Sequence, residues 1–228
     1  MIGILDSGIG GENVAKEVRK LFLSLDILLL KDVKNAPYGT KSESELVTIT
    51  EKNIESLLRH GAKRVLIGCC TASCIWNMLS PDARTASIPI IEPTARLAKK
   101  TSKSGKIALI ATERTVSCGA FSKELGDAIS LSLPMQSLVK LTEAGACDGA
   151  LTHSEERFLD ELLTPLSRAG ADTLILGCTH FPSLENEILK RIRKYGIKHT
   201  ASSALAAARE LENYPESKDI ERGLTVSL

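Results

Sequence analysis

Short apolar runs recur along the chain, near Ile2–Leu5, Ile27–Leu30, Val65–Ile67, Ile88–Ile91, Ile107–Ile110 and Leu174–Leu176, and longer stretches of helical period fill the intervals. Between Glu51 and His60, Ile54, Leu57 and Leu58 share one face, and between Glu155 and Arg168, Phe158, Leu159, Leu162, Leu163 and Leu166 do the same. Each stripe predicts a helix lying by its apolar side on a sheet. Strand and helix alternating in this way require parallel strands with helical crossovers, an α/β architecture whose ligands bind beyond the carboxyl ends of the strands.

One segment occurs twice. Gly61-Ala62-Lys63-Arg64-Val65-Leu66-Ile67-Gly68-Cys69 returns as Gly170-Ala171-Asp172-Thr173-Leu174-Ile175-Leu176-Gly177-Cys178, at an offset of 109 at both ends (170 − 61 and 178 − 69). Each copy has a turn glycine, a strand-type run and a Gly-Cys pair where the strand ends. The repeat predicts two pseudo-symmetric, Rossmann-like three-layer domains with mostly parallel sheets and an interdomain active-site cleft. Pro89 and Pro93 mark the crossing into the second domain, and a return near Tyr195–Ala201 gives residues 1–92 plus 201–228 for the first and 93–200 for the second. Across a cleft, Cys69 and Cys178 would meet a bound molecule from opposite sides, as racemisation by two opposed bases requires.

With 228 residues, 43% of them hydrophobic, the chain can bury one large core or two small ones. Its 29 basic and 28 acidic residues leave a net charge of +1, so there is no electrostatic footprint for nucleic acid or an acidic membrane, and a small-molecule partner is expected. Met1 to Asp6 runs straight into a strand without a basic start, a long apolar stretch or a cleavage site, which points to the cytoplasm. In that compartment Cys69, Cys70, Cys74, Cys118, Cys147 and Cys178 are read as reduced thiols. Their spacing does not make a zinc set with His180, and no metal is expected. Gly8, Gly10 and Gly11 lack the G-x-G-x-x-G spacing of a dinucleotide loop, so no cofactor is expected either.

Four strand-end loops carry the candidate chemistry: Asp6-Ser7-Gly8-Ile9-Gly10-Gly11, Pro37-Tyr38-Gly39, Cys69-Cys70-Thr71-Ala72-Ser73 and Cys178-Thr179-His180-Phe181-Pro182. The glycines after Asp6 are read either as a nest of amides for a substrate carboxylate or as plain turn residues. A thiol at a helix start is expected to have a lowered pKa, so that one thiolate takes a proton and the opposing thiol returns one. His180 is placed to share a proton near neutral pH. Glu143 is either its orienting partner or a solvated helix residue, and Tyr38 is either a ligand contact or a packed aromatic in a turn. Cys70, Cys74, Cys118 and Cys147 read from their surroundings as small buried hydrophobes.

These loops resemble those of the cofactor-independent glutamate racemases, within the wider aspartate/glutamate racemase group. The matching segments are Gly3–Gly11, Ala36–Ser42, Cys69–Ser73 and Leu176–Pro182. The resemblance implies conversion of L-glutamate to D-glutamate for peptidoglycan synthesis, with Cys69 and Cys178 as the base pair. It puts Asp6 near the first thiol, and His180 and Glu143 near the second. Asp6, Ser7, Tyr38, Gly39, Cys70, Thr71, Thr115, Thr179 and His180 fall at positions that would hold substrate, and a homodimer is implied. Cys70 stands where the family usually has Asn, an amide able both to donate and to accept hydrogen bonds. Two other readings stay open: a racemase for aspartate or another small acid, and a binding protein of the same fold that has lost catalysis.

Overall fold

The computed structural model describes residues Met1–Tyr214. They form two compact units, Met1–Ile90 with the described residues from Ala204 onward, and Ile91–Ser203. The first unit holds β1 (Ile2–Asp6), β2 (Ile27–Lys31), β3 (Val65–Ile67) and β4 (Ser87–Pro89) in the order β2-β1-β3-β4. The second holds β5 (Ile107–Ala111), β6 (Ile129–Pro134), β7 (Thr173–Gly177) and β8 (His199–Ser202) in the order β6-β5-β7-β8. Every pairing in both sheets is parallel. The repeated segment therefore supplies β3 and β7, which occupy the same place in two sheets of one topology.

In the first unit, alternate residues of the strands serve opposite layers. Ile2, Ile4, Leu66 and Ile88 pack with Val14, Ala15 and Val18 of the helix Gly10–Leu21, and with Ala204, Ala207 and Ala208 of the helix Ser203–Glu210. Leu5, Val65 and Ile67 face the other way, onto Leu46, Ile54 and Leu57 of the helix Glu43–Arg59. Each fully buried Ile or Leu contributes about 1.5–3 kcal/mol relative to exposure, so the three layers are held mainly by these faces. In the second unit Ala108, Ile110, Leu174 and Leu176 pack on Leu138, Val139, Leu159, Leu163, Ile188 and Ile192, and the helix Ile91–Thr101 lies against β7 and β8.

Several element boundaries differ from expectation for local reasons. The helix expected from Glu51 begins at Glu43, because Ser42 and Glu45 form a reciprocal capping box. The helix His153–Leu163 is likewise capped by Thr152 and Glu155, and at Thr164–Arg168, which includes Pro165, the chain tightens to a 3-10 turn. Phe158, expected on the apolar face, is 40% exposed, whereas Leu159, Leu163 and Leu166 are buried. The run Ile88–Ile91 is not one strand: β4 ends at Pro89 on the sheet edge, and Ile91 opens the next helix. Ile91 and Glu92 therefore start the second unit, and residues 201–203, expected in the first domain, complete it through β8. The expected contribution of residues 215–228 to the first domain lies outside the described residues.

Candidate active site

In the first sheet β1 lies between β2 and β3. The chain leaves β1 on one side to make β2 and returns on the other to make β3, so the carboxyl ends of β1 and β3 form a topological switch point, the place where open α/β sheets bind ligands. Asp6 ends β1 with Ser7 directly after it, and Cys69 follows β3. In the second sheet β5 and β7 have the same relation, which brings Thr112–Thr115 beside Cys178–His180.

Asp6 is fully buried, and its Oδ1 accepts a 2.8 Å hydrogen bond from the Gly8 amide. A Cβ on Gly11 would fall 2.7 Å from the Asp6 Cβ and 3.0 Å from Leu29 Cδ1, so glycine is required there to admit the aspartate. Glycine before each thiol has a similar cause. A Cβ at Gly68 would lie 3.3 Å from the Leu5 carbonyl oxygen, and one at Gly177 would lie 3.0 Å from the Ile110 carbonyl oxygen.

Cys69 is 6% exposed, with its Sγ 3.6 Å from Ser7 Oγ. Burial, and next the charge of Asp6, push its thiol up to about 11, against the amides of Ala72 and Thr71 and the Ser7 hydroxyl, which favour the thiolate. The expected lowering is thus overturned. The helix after Cys69 spans only Cys70–Ser73, and its amides do not outweigh desolvation and a like charge. Cys70 is 2% exposed and lies in the apolar core that contains Ile4 and Leu66. Thr71 is buried. Tyr38 is buried in the same cluster as Cys69, and its hydroxyl donates to Asp32 Oδ2 at 2.8 Å. Gly39 beside it has open space around its Cα. Asp32 escaped sequence reasoning, although, like Asp6, it is an acid at the end of an apolar run.

In the second unit Cys178 is buried, with its Sγ 3.5 Å from His180 Nδ1. His180 Nε2 lies 3.5 Å from Glu143 Oε1 and has no hydrogen-bond partner among the described residues. Burial lowers the His180 pKa to about 4, so the resting ring is neutral at neutral pH and presents Nδ1 to the Cys178 thiol. The half-exposed Glu143, on the helix Gln136–Glu143, faces this ring across the surface. Thr179 and Thr115 are buried, and Thr115 Oγ1 lies 2.9 Å from Thr112 Oγ1. All six cysteines are free thiols. Cys118 and Cys147 are exposed and Cys74 is intermediate, so reading them as buried hydrophobes fails for the first two. Among the described residues no group of three His, Cys, Asp or Glu side chains is placed to hold a metal ion, and no helix is long and apolar enough to cross a membrane.

The profile of the Asp/Glu/Hydantoin racemase family matches residues 12–210. The chain is 36% identical over 198 residues to the glutamate racemase of Desulforudis audaxviator, covering 84% of this chain and 70% of the relative. It is 38% identical over 193 residues to that of Cupriavidus pinatubonensis, covering 82% and 69%. Among solved structures, a glutamate racemase isoform from Bacillus anthracis superposes with a TM-score of 0.81 at 30% identity, over 96% of this chain and 83% of that one. The glutamate racemase of Francisella tularensis in complex with D-glutamate gives 0.81 at 25% identity, over 100% and 84%.

Proposed function

We propose that this chain, which belongs to the Asp/Glu/Hydantoin racemase family on its glutamate racemase branch, interconverts L- and D-glutamate by a two-thiol, two-base mechanism. The observation that carries the reading is a buried thiol at the end of the same strand in two sheets of one topology, each with its own proton-handling neighbours.

The α-proton of an amino acid is weakly acidic, so its removal demands a close base and stabilisation of the electron pair left behind. In this reading one cysteine acts as thiolate and takes the proton from Cα, and the electron pair delocalises into the α-carboxylate. The other cysteine, as thiol, returns a proton to the opposite face, and the two exchange roles when the opposite enantiomer is bound. Cys69, with its pKa of about 11, rests as the thiol and gives a strong base once deprotonated. Ser7 and the amides of Thr71 and Ala72 are its thiolate donors. Cys178 has an imidazole acceptor in His180 Nδ1, and the Glu143 carboxylate faces the far nitrogen where positive charge would collect. Asp6, Ser7, Tyr38, Gly39, Cys70, Thr71, Thr115, Thr179 and His180 are proposed to hold the substrate. The D-glutamate formed would serve peptidoglycan synthesis in the cytoplasm, and the working form proposed is a homodimer.

The test is incubation with each enantiomer of glutamate and of aspartate, followed by chiral chromatography. Convergence of both glutamate enantiomers on an equal mixture, with aspartate unchanged, is expected. Inert glutamate in folded protein would overturn the reading, and turnover of aspartate alone would reassign the substrate.

A further inference from the structure

Asp32 follows β2, and its carboxylate is buried at 7% exposure. Its Oδ1 accepts from the Asn35 amide at 3.3 Å and from Asn35 Nδ2 at 2.9 Å. Its Oδ2 accepts from Asn35 Nδ2 at 2.9 Å, Tyr38 Oη at 2.8 Å and Asn53 Nδ2 at 2.8 Å. Asn53 Nδ2 also donates to Tyr38 Oη at 3.1 Å, and the Asp32 amide donates to the Asp6 carbonyl at 2.8 Å. One residue thus ties the end of β1, the Pro37–Gly39 loop and the helix Glu43–Arg59 to a single point beside Tyr38, which packs in the cluster of Cys69.

We infer that Asp32 is a positioning residue of the first thiol site: it holds the Tyr38 ring against Cys69 and fixes the Tyr38-Gly39 backbone as a substrate-binding edge. This rests on the glutamate racemase reading for the substrate, but the fixing of Tyr38 does not. A carboxylate is the one side chain of this size that only accepts hydrogen bonds, and here all its partners donate. An amide at position 32 would turn two N–H donors toward the Tyr38 hydroxyl and the two asparagines. The same bonds outweigh burial and hold the Asp32 carboxyl below its ordinary range, while burial and then Asp32 hold the Tyr38 phenol above its own. With its hydrogen committed to Asp32, the Tyr38 hydroxyl contributes to the site through the place of its ring.

Asp32→Asn and Tyr38→Phe test this with two readouts that need no turnover. The chain has three tyrosines, so the ring carbon bearing the hydroxyl gives a countable set of NMR signals in protein labelled at that carbon, and Tyr38→Phe assigns the one from Tyr38. In Asp32→Asn that signal should move toward the position of freely solvated tyrosine. Alkylation of Cys69 by iodoacetamide, localised by peptide fragmentation, should accelerate about tenfold, the equivalent of one lost charge-assisted hydrogen bond. With glutamate, KM should rise by a similar factor while kcat changes little. An unmoved Tyr38 signal with unchanged alkylation in folded Asp32→Asn would overturn the inference, as would a fall in kcat alone, which would make Asp32 an acid or base. If the parent protein leaves glutamate unchanged, the substrate assignment falls, and the signal and the alkylation rate still decide the role of Asp32.

Discussion

Replacement of Asp6 by Asn should make Cys69 more reactive even as it damages the site around it. In the parent, burial and the Asp6 charge place the Cys69 thiol at about 11, so at pH 8 about one molecule in a thousand carries the thiolate. Asp6→Asn leaves the burial and removes the like charge, which is worth about one pKa unit. The thiolate fraction then rises about tenfold. A less basic thiolate is also a weaker nucleophile, with a Brønsted slope of about 0.4–0.5, which takes back about threefold of that gain. The net expectation is alkylation of Cys69 about three times faster between pH 7 and 9, read by timed iodoacetamide quenching and mass spectrometry of the peptide. Racemisation should fall at the same time, because Asp6 is lost from the substrate edge. A variant that is folded by circular dichroism yet alkylates at the parent rate or slower would refute the reasoning, since Asp6 would then not oppose the thiolate.

Two further outcomes follow from the second unit. His180 titrates at about 4 when folded and at about 6.5 when unfolded. The unfolded state therefore takes up the proton first, and stability is fully present above about pH 6.5 and lost as pH falls toward 4, to a limit of about 3 kcal/mol. Urea unfolding from pH 8 to 4 should show the parent losing this advantage over His180→Asn, and parallel pH profiles would contradict the assignment. Gly177→Ala places a Cβ 2.7 Å from Leu109 Cδ1 and 3.0 Å from both Ala111 Cβ and Ile110 O, and should destabilise by about 1–3 kcal/mol. Gly68→Ala, with its nearest neighbour at 3.3 Å, should cost less in the same urea titration, and a larger loss at Gly68 would contradict the packing argument.

The sequence showed β1, β3, β5 and β7 because they are buried on both faces and read as unbroken apolar runs. It hid β6 and β8, which lie at sheet edges. There Ser130 and Ser132 alternate with leucines, and His199-Thr200-Ala201-Ser202 has almost no apolar signal. The pair of thiols was legible because the duplication marks it, and Asp6 because it ends the first strand. The electrostatics were not legible. The high pKa of Cys69 comes from burial and from a residue far away in the chain, and the low pKa of His180 comes from packing that no local motif records. Asp32 was missed for a similar reason, since its partners at 35, 38 and 53 converge only once β2 and the helix Glu43–Arg59 are in place.

The central claim, that two thiols invert one α-carbon, is tested most directly by following the α-proton of L- and D-glutamate by NMR in deuterated water with the parent, Cys69→Ser and Cys178→Ser proteins. The account predicts deuterium incorporation with inversion in the parent and loss of inversion when either thiol is replaced. Full racemisation by either single variant would contradict a mechanism that needs both.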